Sequence, residues 1–367
     1  MPSNGRIFVT CDIGEALDRL ADRGYSLEVY PHPEPPSQDR ILEAVRSGIV
    51  GLITTIRDPI DARIFEAGQG TLKVVSQYGV GYDNIDVKAA SRCRIAVTNT
   101  PDVLTHATAE FALFMLGDLA RKLYLSERLV RERRWTVWHP ALPFLGHEVA
   151  GKTVGIIGLG RIGKAFALKC AGLGVDILAY TRRPDRSFGR SLQRLLEARR
   201  ELEPNGPRNR FRFASFRECL KESDFVSLHV PLSAETRHLI DAQALSQMKR
   251  EAFLINTARG PVVDESALYS ALKQGDIAGA ALDVFETEPL PDDSPLRDPE
   301  LEDRLRLYHH LGSGSIETRL SPDPDVGMAG RCVQAAIDVL QAGDEGNLSQ
   351  MPLVVNRGAF APEDPTS

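Results

Sequence analysis

Short runs of β-branched and other apolar residues alternate with helix-like stretches along most of the chain. Nine of these runs predict strands, and their βαβα alternation predicts an α/β fold with parallel, doubly wound sheets. The predicted strands cover residues 7–10, 50–54, 74–77, 96–99, 153–157, 176–180, 225–229, 253–256 and 279–284.

Two helical segments indicate how the chain passes between domains. Residues 106–123 are apolar on nearly every face, which is typical of a buried helix, often one between domains. Residues 330–342 have an amphipathic pattern. Because strands precede both segments, we expect the chain to cross between two domains twice.

Three segments interrupt the alternation. Residues 181–212 carry ten arginines and four acidic residues, a local net charge of +6. Residues 288–303 contain four prolines and are predicted to be a loop. Residues 357–367 are predicted to be a disordered tail.

Composition excludes several classes of protein. A chain of 367 residues predicts at least two domains, and a net charge of −6 argues against a nucleic-acid or anionic-membrane partner. We expect no membrane span and no signal peptide, because no long apolar run is present. Five dispersed cysteines without a CxxC motif predict neither a disulfide framework nor a metal site, and they fit a cytoplasmic location.

A glycine-rich turn lies between a predicted strand and a predicted helix. It consists of Gly158, Leu159, Gly160, Arg161, Ile162 and Gly163, a G-x-G-x-x-G pattern. Such glycines permit a tight turn, close approach of the backbone to a pyrophosphate, and close helix–strand packing. The pattern alone is weak, but a second strand follows at the right distance, so the segment predicts binding of a nicotinamide dinucleotide.

The end of that second strand bears on which dinucleotide binds. A carboxylate here would accept hydrogen bonds from the ribose 2′-OH of NAD, but the chain has Thr181, Arg182 and Arg183 instead. A hydroxyl and two guanidiniums suit a 2′-phosphate, so we expect NADP(H) to be preferred, with NAD(H) possible. The alternative is a solvated basic loop.

Longer motifs surround this turn. They cover residues 78–86, 97–101, 138–146, 255–265, 281–289 and 308–313. With them the chain resembles the D-isomer-specific 2-hydroxyacid dehydrogenases, and among these the glyoxylate/hydroxypyruvate reductases, from about residue 6 to residue 356.

The resemblance implies two Rossmann-like domains with the active site in the cleft between them. The substrate domain would comprise residues 1–103 and 315–356, with the NAD(P)-binding domain, residues 104–314, inserted in it. Members of the family are usually homodimers, so a homodimer is expected.

The resemblance also implies three catalytic residues. Arg259 would hold the substrate carboxylate and polarise the carbonyl, His310 would donate the proton, and Glu288 would keep that imidazole charged. The neighbouring His309 and Glu286 are the alternatives for the last two roles.

Further residues are expected to contact substrate or cofactor. The backbone of Val80 and Gly81 would bind the substrate carboxylate, and Trp138 would close the pocket, with core packing as the alternative for the tryptophan. Cofactor contacts are expected from the glycine-rich turn, from residues 181–183, and from His229, Val230, Pro231, Thr257, Ala258, Asp283, Gly312 and Ser313.

The resulting hypothesis is NAD(P)H-dependent reduction of glyoxylate, hydroxypyruvate or a related small 2-oxo acid to the D-2-hydroxy acid. One alternative is another dehydrogenase of the class, acting on phosphoglycerate, 2-ketogluconate or a branched oxo acid. A second alternative, from a different class, is a dinucleotide-sensing corepressor-like binding protein.

Overall fold

A computed structural model describes residues 4–140, 145–342 and 345–361. The chain forms two compact units, one made of Met1–Leu104 with Gly314–Ser367 and the other of Thr105–Ser313. The first unit therefore comes from two chain segments that flank the second unit in sequence. Which unit binds substrate and which binds cofactor stays a prediction.

Strands and helices alternate through both units. The strands are β1 Arg6–Val9, β2 Ser26–Val29, β3 Gly51–Thr55, β4 Val74–Tyr78, β5 Ala96–Thr98, β6 Thr153–Ile157, β7 Asp176–Tyr180, β8 Phe211–Phe213, β9 Phe225–Leu228, β10 Phe253–Asn256, β11 Gly279–Leu282 and β12 Leu305–Leu307. The α-helices are α1 Asp18–Ala21, α2 Gln38–Arg46, α3 Ala62–Gly68, α4 Val87–Arg92, α5 Thr105–Arg121, α6 Leu123–Arg131, α7 Arg161–Ala171, α8 Arg186–Leu202, α9 Phe216–Glu222, α10 Ala242–Ser246, α11 Glu265–Gln274, α12 Ile316–Leu320 and α13 Met328–Leu340.

The first unit is built on a five-stranded parallel sheet in the order β2-β1-β3-β4-β5. Alternate residues of β1 serve opposite faces, as strand geometry requires. Phe8 packs in one apolar cluster with Ile41 of α2, whereas Ile7 packs in another with Val333 of α13. Both faces of this sheet are therefore covered by helices.

The second unit is built on a seven-stranded parallel sheet in the order β12-β11-β10-β9-β6-β7-β8. All six neighbouring pairs are parallel. The chain runs outward from β6 in one direction and then in the other, which places a switch in strand order between β6 and β9. The prediction of two doubly wound parallel-sheet domains is confirmed.

The prediction that residues 181–212 break the alternation is wrong. This segment forms α8 and the edge strand β8, which continue the sheet beyond β7. Helix α8 is amphipathic, because Leu192 and Leu196 are buried on one face while the charged side chains lie on the other. The many arginines make this pattern hard to recognise in the sequence.

Helix α5 is less completely buried than its composition predicts. Ala112, Leu116 and Leu119 are buried, but Phe114 is 65% exposed. Within the described residues, no helix combines the length and apolar character that a membrane crossing needs.

The predicted disordered tail begins too early. Arg357–Phe360 forms a 3-10 helix, and Phe360 is only 2% exposed. The guanidinium of Arg94 lies 5.7 Å from the centre of the Phe360 ring. Burial of one aromatic ring thus orders a segment whose composition is that of a tail. Residues 362–367 lie outside the described residues.

Candidate active site

The three predicted catalytic residues follow three neighbouring strands of one sheet. Arg259 comes after β10, Glu288 after β11 and His310 after β12, and these strands lie side by side. Because the strands are parallel, their carboxyl ends share one edge of the sheet. That edge is where open α/β sheets bind ligands.

His310 and Glu288 form a hydrogen-bonded pair. Nδ1 of His310 lies 2.8 Å from Oε2 of Glu288, and both side chains are partly exposed. The other candidate carboxylate, Glu286, instead accepts a hydrogen bond from the backbone N–H of Glu265 and lies 3.2 Å from Nε2 of His238. His309 is exposed. The structure therefore brings together His310 and Glu288.

The environment of Glu288 favours its ionised form. Burial alone would raise the pKa of this carboxyl, but the hydrogen bond and charge of His310 lower it. The backbone N–H of Phe285, which donates to Oε1 at 3.0 Å, and the charge of Arg259 lower the pKa further. The net result is a lowered pKa, so Glu288 is a carboxylate that can stabilise a charged imidazole.

Asp283 holds the segment that carries His310. Its side chain is almost fully buried, and its two oxygens accept hydrogen bonds from the backbone N–H groups of Leu311, at 2.6 Å, and Gly312, at 2.7 Å. The backbone N–H of His310 donates to the carbonyl of Asp283 at 2.8 Å. His310 itself has a φ of 56°, an uncommon conformation for a residue with a side chain. The predicted cofactor residue Asp283 thus uses its carboxylate to hold the backbone next to the predicted catalytic imidazole.

Arg259 lies in a segment packed tightly against the loop that carries Glu288. A Cβ added at Gly260 would come within 1.8 Å of the backbone of Phe285, so only glycine fits at this contact. Asn256, fully buried, donates from Nδ2 to the carbonyl of Arg259 at 2.9 Å and accepts from the N–H of Ala258 at 3.0 Å. These contacts fix the backbone on either side of the guanidinium.

The glycine-rich turn has the geometry that a dinucleotide requires. A Cβ at Gly158 would lie 2.6 Å from the carbonyl oxygen of His229, and one at Gly163 would lie 2.1 Å from that of Gly158. At Gly160, by contrast, a Cβ would meet nothing within 4 Å, so the backbone there is open to a ligand. Gly160 is also the N-cap of α7, where the helix presents its first N–H groups. Leu159, Arg161 and Ile162 complete the turn.

The end of β7 carries positive charge that its nearest aspartate does not neutralise. Thr181 is partly buried, and Arg182 and Arg183 are exposed. Asp185 is engaged elsewhere, since it forms an ion pair with Lys164 at 2.7 Å and caps α8. The pKa of Glu235 is lowered by the hydrogen bond from Ser233, by a backbone N–H and, to a smaller extent, by the charge of Arg182. The carboxylate of Glu235 therefore lies near Arg182.

Two further predicted cofactor residues hold buried polar atoms that lack a partner. Nδ1 of His229 and Oγ1 of Thr257 have no hydrogen-bond partner among the described residues. Burial lowers the pKa of His229 to about 3, so its ring is neutral, and Nε2 lies 2.9 Å from Oγ of Ser227. Unsatisfied buried polar atoms are costly unless a ligand completes them, so these residues fit a bound dinucleotide. Val230, Pro231, Ala258, Gly312 and Ser313 lie in the same carboxyl-end segments.

The other unit carries Val80 and Gly81 in the turn after β4. The carbonyl of Val80 accepts from Nδ2 of Asn99 at 2.8 Å, and that of Gly81 accepts from Nε2 of Gln77 at 3.1 Å. Nε2 of Gln77, whose side chain is buried, also donates to Oδ1 of Asn84 at 2.9 Å. Three side-chain amides thus fix this turn, which we call the amide clamp.

Trp138 is 74% exposed among the described residues, and its role in closing the pocket stays a prediction. Its motif continues through residues 141–144, including Phe144, which lie outside the described residues.

Sequence reasoning missed the residues that hold the candidate segments within each unit. Asn256 and Asn99 were noticed only as members of motifs, and Gln77 only as the end of a strand. The available signal was a polar amide at the carboxyl end of an otherwise apolar strand, where a buried side chain must find partners.

Comparison with known proteins places the chain in a family. The family model described as "D-isomer specific 2-hydroxyacid dehydrogenase, NAD binding domain" matches residues 113–312. The chain is 45% identical over 315 residues to the glyoxylate reductase of Korarchaeum cryptofilum, covering 86% of this chain and 88% of that one.

Two solved structures are similar to this chain over more than nine tenths of its length. A protein of Thermus thermophilus is similar with a TM-score of 0.78 and 38% identity, covering 92% of this chain and 97% of the other. The NADPH-dependent glyoxylate/hydroxypyruvate reductase of Sinorhizobium meliloti, in complex with NADP and malonate, has a TM-score of 0.75 and 28% identity, covering 99% of this chain and 100% of the other. The chain belongs to the D-isomer specific 2-hydroxyacid dehydrogenases and is a nicotinamide-dinucleotide-binding oxidoreductase of that family.

Proposed function

We propose that the protein reduces a small 2-oxo acid, glyoxylate or hydroxypyruvate, to the D-2-hydroxy acid, with NADPH as the preferred reductant. The observation that carries the proposal is the His310–Glu288 pair, 2.8 Å apart, on the same sheet edge as Arg259 and the glycine-rich turn. The curated relatives named glyoxylate reductase support the choice of substrate.

The side chains divide the chemistry among them. The guanidinium of Arg259 binds the substrate carboxylate and draws electron density from the adjacent carbonyl. A nicotinamide dinucleotide held by the glycine-rich turn and residues 181–183 would supply the hydride. With Nδ1 held by Glu288, Nε2 of His310 is the atom assigned to donate a proton to the carbonyl oxygen. Glu288 then faces a neutral imidazole, which takes up a proton for the next turnover.

Substrate contacts from Val80, Gly81 and Trp138 are part of the same proposal. A steady-state assay of NADPH oxidation with glyoxylate, hydroxypyruvate, phosphohydroxypyruvate, 2-ketogluconate and a branched 2-oxo acid tests it. We expect the highest kcat/KM with the two smallest acids and a D product on chiral analysis. Absence of turnover with every acid would leave a dinucleotide-sensing binding protein as the better description.

The preference for NADPH rests on Thr181, Arg182 and Arg183. A charge-assisted hydrogen bond to a phosphate contributes about 1.5–3 kcal/mol, which corresponds to roughly 10- to 150-fold in kcat/KM. The double variant Arg182→Ala/Arg183→Ala should lower kcat/KM for NADPH by at least about 10-fold and leave that for NADH nearly unchanged. Arg200→Ala, at an exposed position of α8, is the matched control. A wild-type preference for NADH would refute this part of the proposal.

We also propose a cytoplasmic homodimer. None of the five cysteines, all of which lie in the described ranges, forms a disulfide, which fits a reducing compartment. The homodimer is supported by a concentration of exposed apolar side chains, all within residues 114–145. They are Phe114, Leu123, Tyr124, Val130, Trp135, Val137, Trp138 and Leu145.

A further inference from the structure

Helix α8 and the edge strand β8 border a shallow, open groove that the proposed reaction does not use. Its volume is about 580 Å³, which lies in the range of small-molecule sites. The helix contributes Arg186, Arg190 and Arg194 to its wall, and the strand contributes Phe211 and Phe213. The lining begins at Pro184, directly after Arg183, and includes none of the predicted dinucleotide contacts.

The floor of the groove is fixed by close packing. A Cβ added at Gly189 would lie 2.9 Å from ring atoms of both Phe211 and Phe213, so α8 rests directly on these rings. The two rings are edge to face, with centroids 5.0 Å apart. The backbone N–H of Phe211 donates to Oε1 of Gln193 at 2.9 Å, which ties the outer edge of β8 to the helix.

Three arginines line the groove without any neutralising partner. Arg186, Arg190 and Arg194 follow one another at intervals of four residues, so they share one helix face over about 12 Å. All three are exposed, and none forms a hydrogen bond or ion pair with another residue of the described ranges. Like charges at this spacing repel.

Three other arginines of the same segment, Arg199, Arg210 and Arg212, are paired with carboxylates, unlike the three of the stripe. Arg199 forms an ion pair with Glu203, and Arg212, which also lines the groove, is paired with Glu218 and Glu222. The one carboxylate in the lining is Glu197, beyond the C-terminal end of the arginine stripe.

We propose that this groove binds the oligophosphate chain of a small ligand, either a nucleoside triphosphate or an inorganic oligophosphate. Each guanidinium presents a planar pair of N–H donors that matches a phosphate, and successive phosphates can engage successive arginines of the stripe. Phe211 and Phe213 offer an aromatic surface that a nucleobase can contact. Binding removes the repulsion between the three like charges, so the ligand stabilises α8.

Calorimetric titration of the full-length protein, in the presence of saturating NADPH, tests the proposal. Tripolyphosphate and ATP are expected to bind saturably, and AMP to bind at least 10-fold more weakly than ATP. The double variant Arg190→Gln/Arg194→Gln should weaken binding of both by at least 10-fold. Arg200→Gln/Arg208→Gln, which removes two exposed arginines of the same segment that do not line the groove, should leave both affinities unchanged.

The two ligand sources give different results. If ATP binds more tightly than tripolyphosphate, the aromatic floor contributes and the ligand is a nucleotide; equal affinities assign the site to the phosphate chain alone. Thermal unfolding provides a second measurement, in which the Tm of wild type and of the groove variant is compared without and with tripolyphosphate. Without ligand, the Arg190→Gln/Arg194→Gln variant should have a Tm at or above that of wild type, and tripolyphosphate should raise the Tm of wild type but not that of the variant.

Three results would each overturn the proposal: no saturable binding of either ligand, equal binding by the groove variant, or binding of citrate as tight as that of tripolyphosphate. Reduction of 2-oxo acids is expected to be the same in the groove variants and wild type. The reductase proposal and the groove proposal therefore succeed or fail separately.

Discussion

A single hydrogen bond links the charge of Glu288 to that of His310. The hydrogen bond and charge of the imidazole lower the pKa of the carboxyl, which keeps Glu288 ionised beside the ring. Glu288→Gln keeps an acceptor in place but removes the charge. We expect kcat/KM for reduction to fall on the order of 10²-fold at neutral pH, because the negative charge beside the proton donor is lost. Steady-state kinetics at neutral pH measure the loss.

Glu286→Gln is the control, because that carboxylate is turned to Glu265 and His238. If Glu286→Gln gives the larger loss, the assignment of the two carboxylates is reversed.

The same lowered pKa predicts a dependence of stability on pH. A carboxyl whose folded-state pKa lies below its unfolded value of about 4.3 stabilises the fold above that pH, and the contribution is lost as pH falls through the folded-state pKa. The Tm difference between wild type and Glu288→Gln should therefore be largest above about pH 4.5 and shrink below it. Scanning calorimetry from pH 3 to pH 7 measures this, and a difference that grows on acidification would contradict the lowered pKa.

A substitution at Asp283 tests whether the His310 segment needs a buried carboxylate to hold its conformation. Asp283→Asn replaces one acceptor by a donor that faces a backbone N–H, which leaves a buried group unsatisfied at a cost of about 1–3 kcal/mol. We expect a lower Tm and a lower kcat, measured by calorimetry and steady-state kinetics, with the KM for NADPH little changed. Asp276→Asn, at an exposed position of the same unit, should resemble wild type. An unchanged kcat in Asp283→Asn would mean that the His310 segment holds its conformation without this anchor.

Among the structural elements, the turn after β4 owes its conformation to the amide clamp. Asn99→Ala removes the donor to the carbonyl of Val80 and leaves the anchor of Gly81 in place. If this turn binds the substrate carboxylate, the KM for glyoxylate should rise by about 10-fold, the equivalent of one hydrogen bond, while the KM for NADPH stays the same. Lys88→Ala, at an exposed position of α4, is the control. Equal rises in both KM values would indicate a general loss of structure instead.

The strands show what the sequence pattern could and could not predict. Strands β6, β7 and β10 were predicted with the bounds they have in the structure, because each has a mainly apolar sequence whose central residues are buried. Strands β2, β8 and β12 were missed, since each is only three or four residues long and alternates apolar with polar residues rather than forming a continuous apolar run. Helix α8 was hidden by its arginines, although the spacing of Leu192 and Leu196 indicated a helix.

The residues of the candidate site also differ in how far the sequence could predict their roles. Arg259, Glu288 and His310 could be proposed from motif resemblance, but the residues alone do not distinguish His310 from His309. The distinction depends on the backbone: His310, at a φ of 56°, presents its ring to Glu288, and Asp283 holds that conformation through Leu311 and Gly312. Such contacts join positions far apart in the chain, so a pattern of neighbouring residues does not contain them.

For the whole molecule, the exposed apolar side chains within residues 114–145 predict the oligomeric state. Large apolar surfaces that face water favour association, and here they include Trp135 and Val130 of one continuous stretch. We expect sedimentation equilibrium to give twice the 40.3 kDa mass of one chain. The double variant Val130→Glu/Trp135→Glu should sediment as a monomer, because burying two carboxylates at an interface costs more than the lost apolar contact.

Leu202→Glu is the matched control, since Leu202 is also highly exposed but lies at the end of α8. It should remain a dimer and retain wild-type activity. A wild-type protein that sediments as a monomer, or a Leu202 variant that dissociates as fully as the Val130/Trp135 variant, would contradict the assignment of this stretch to the dimer interface. Because the stretch includes Trp138, a monomer with a raised KM for glyoxylate would further indicate that association and substrate binding depend on the same segment.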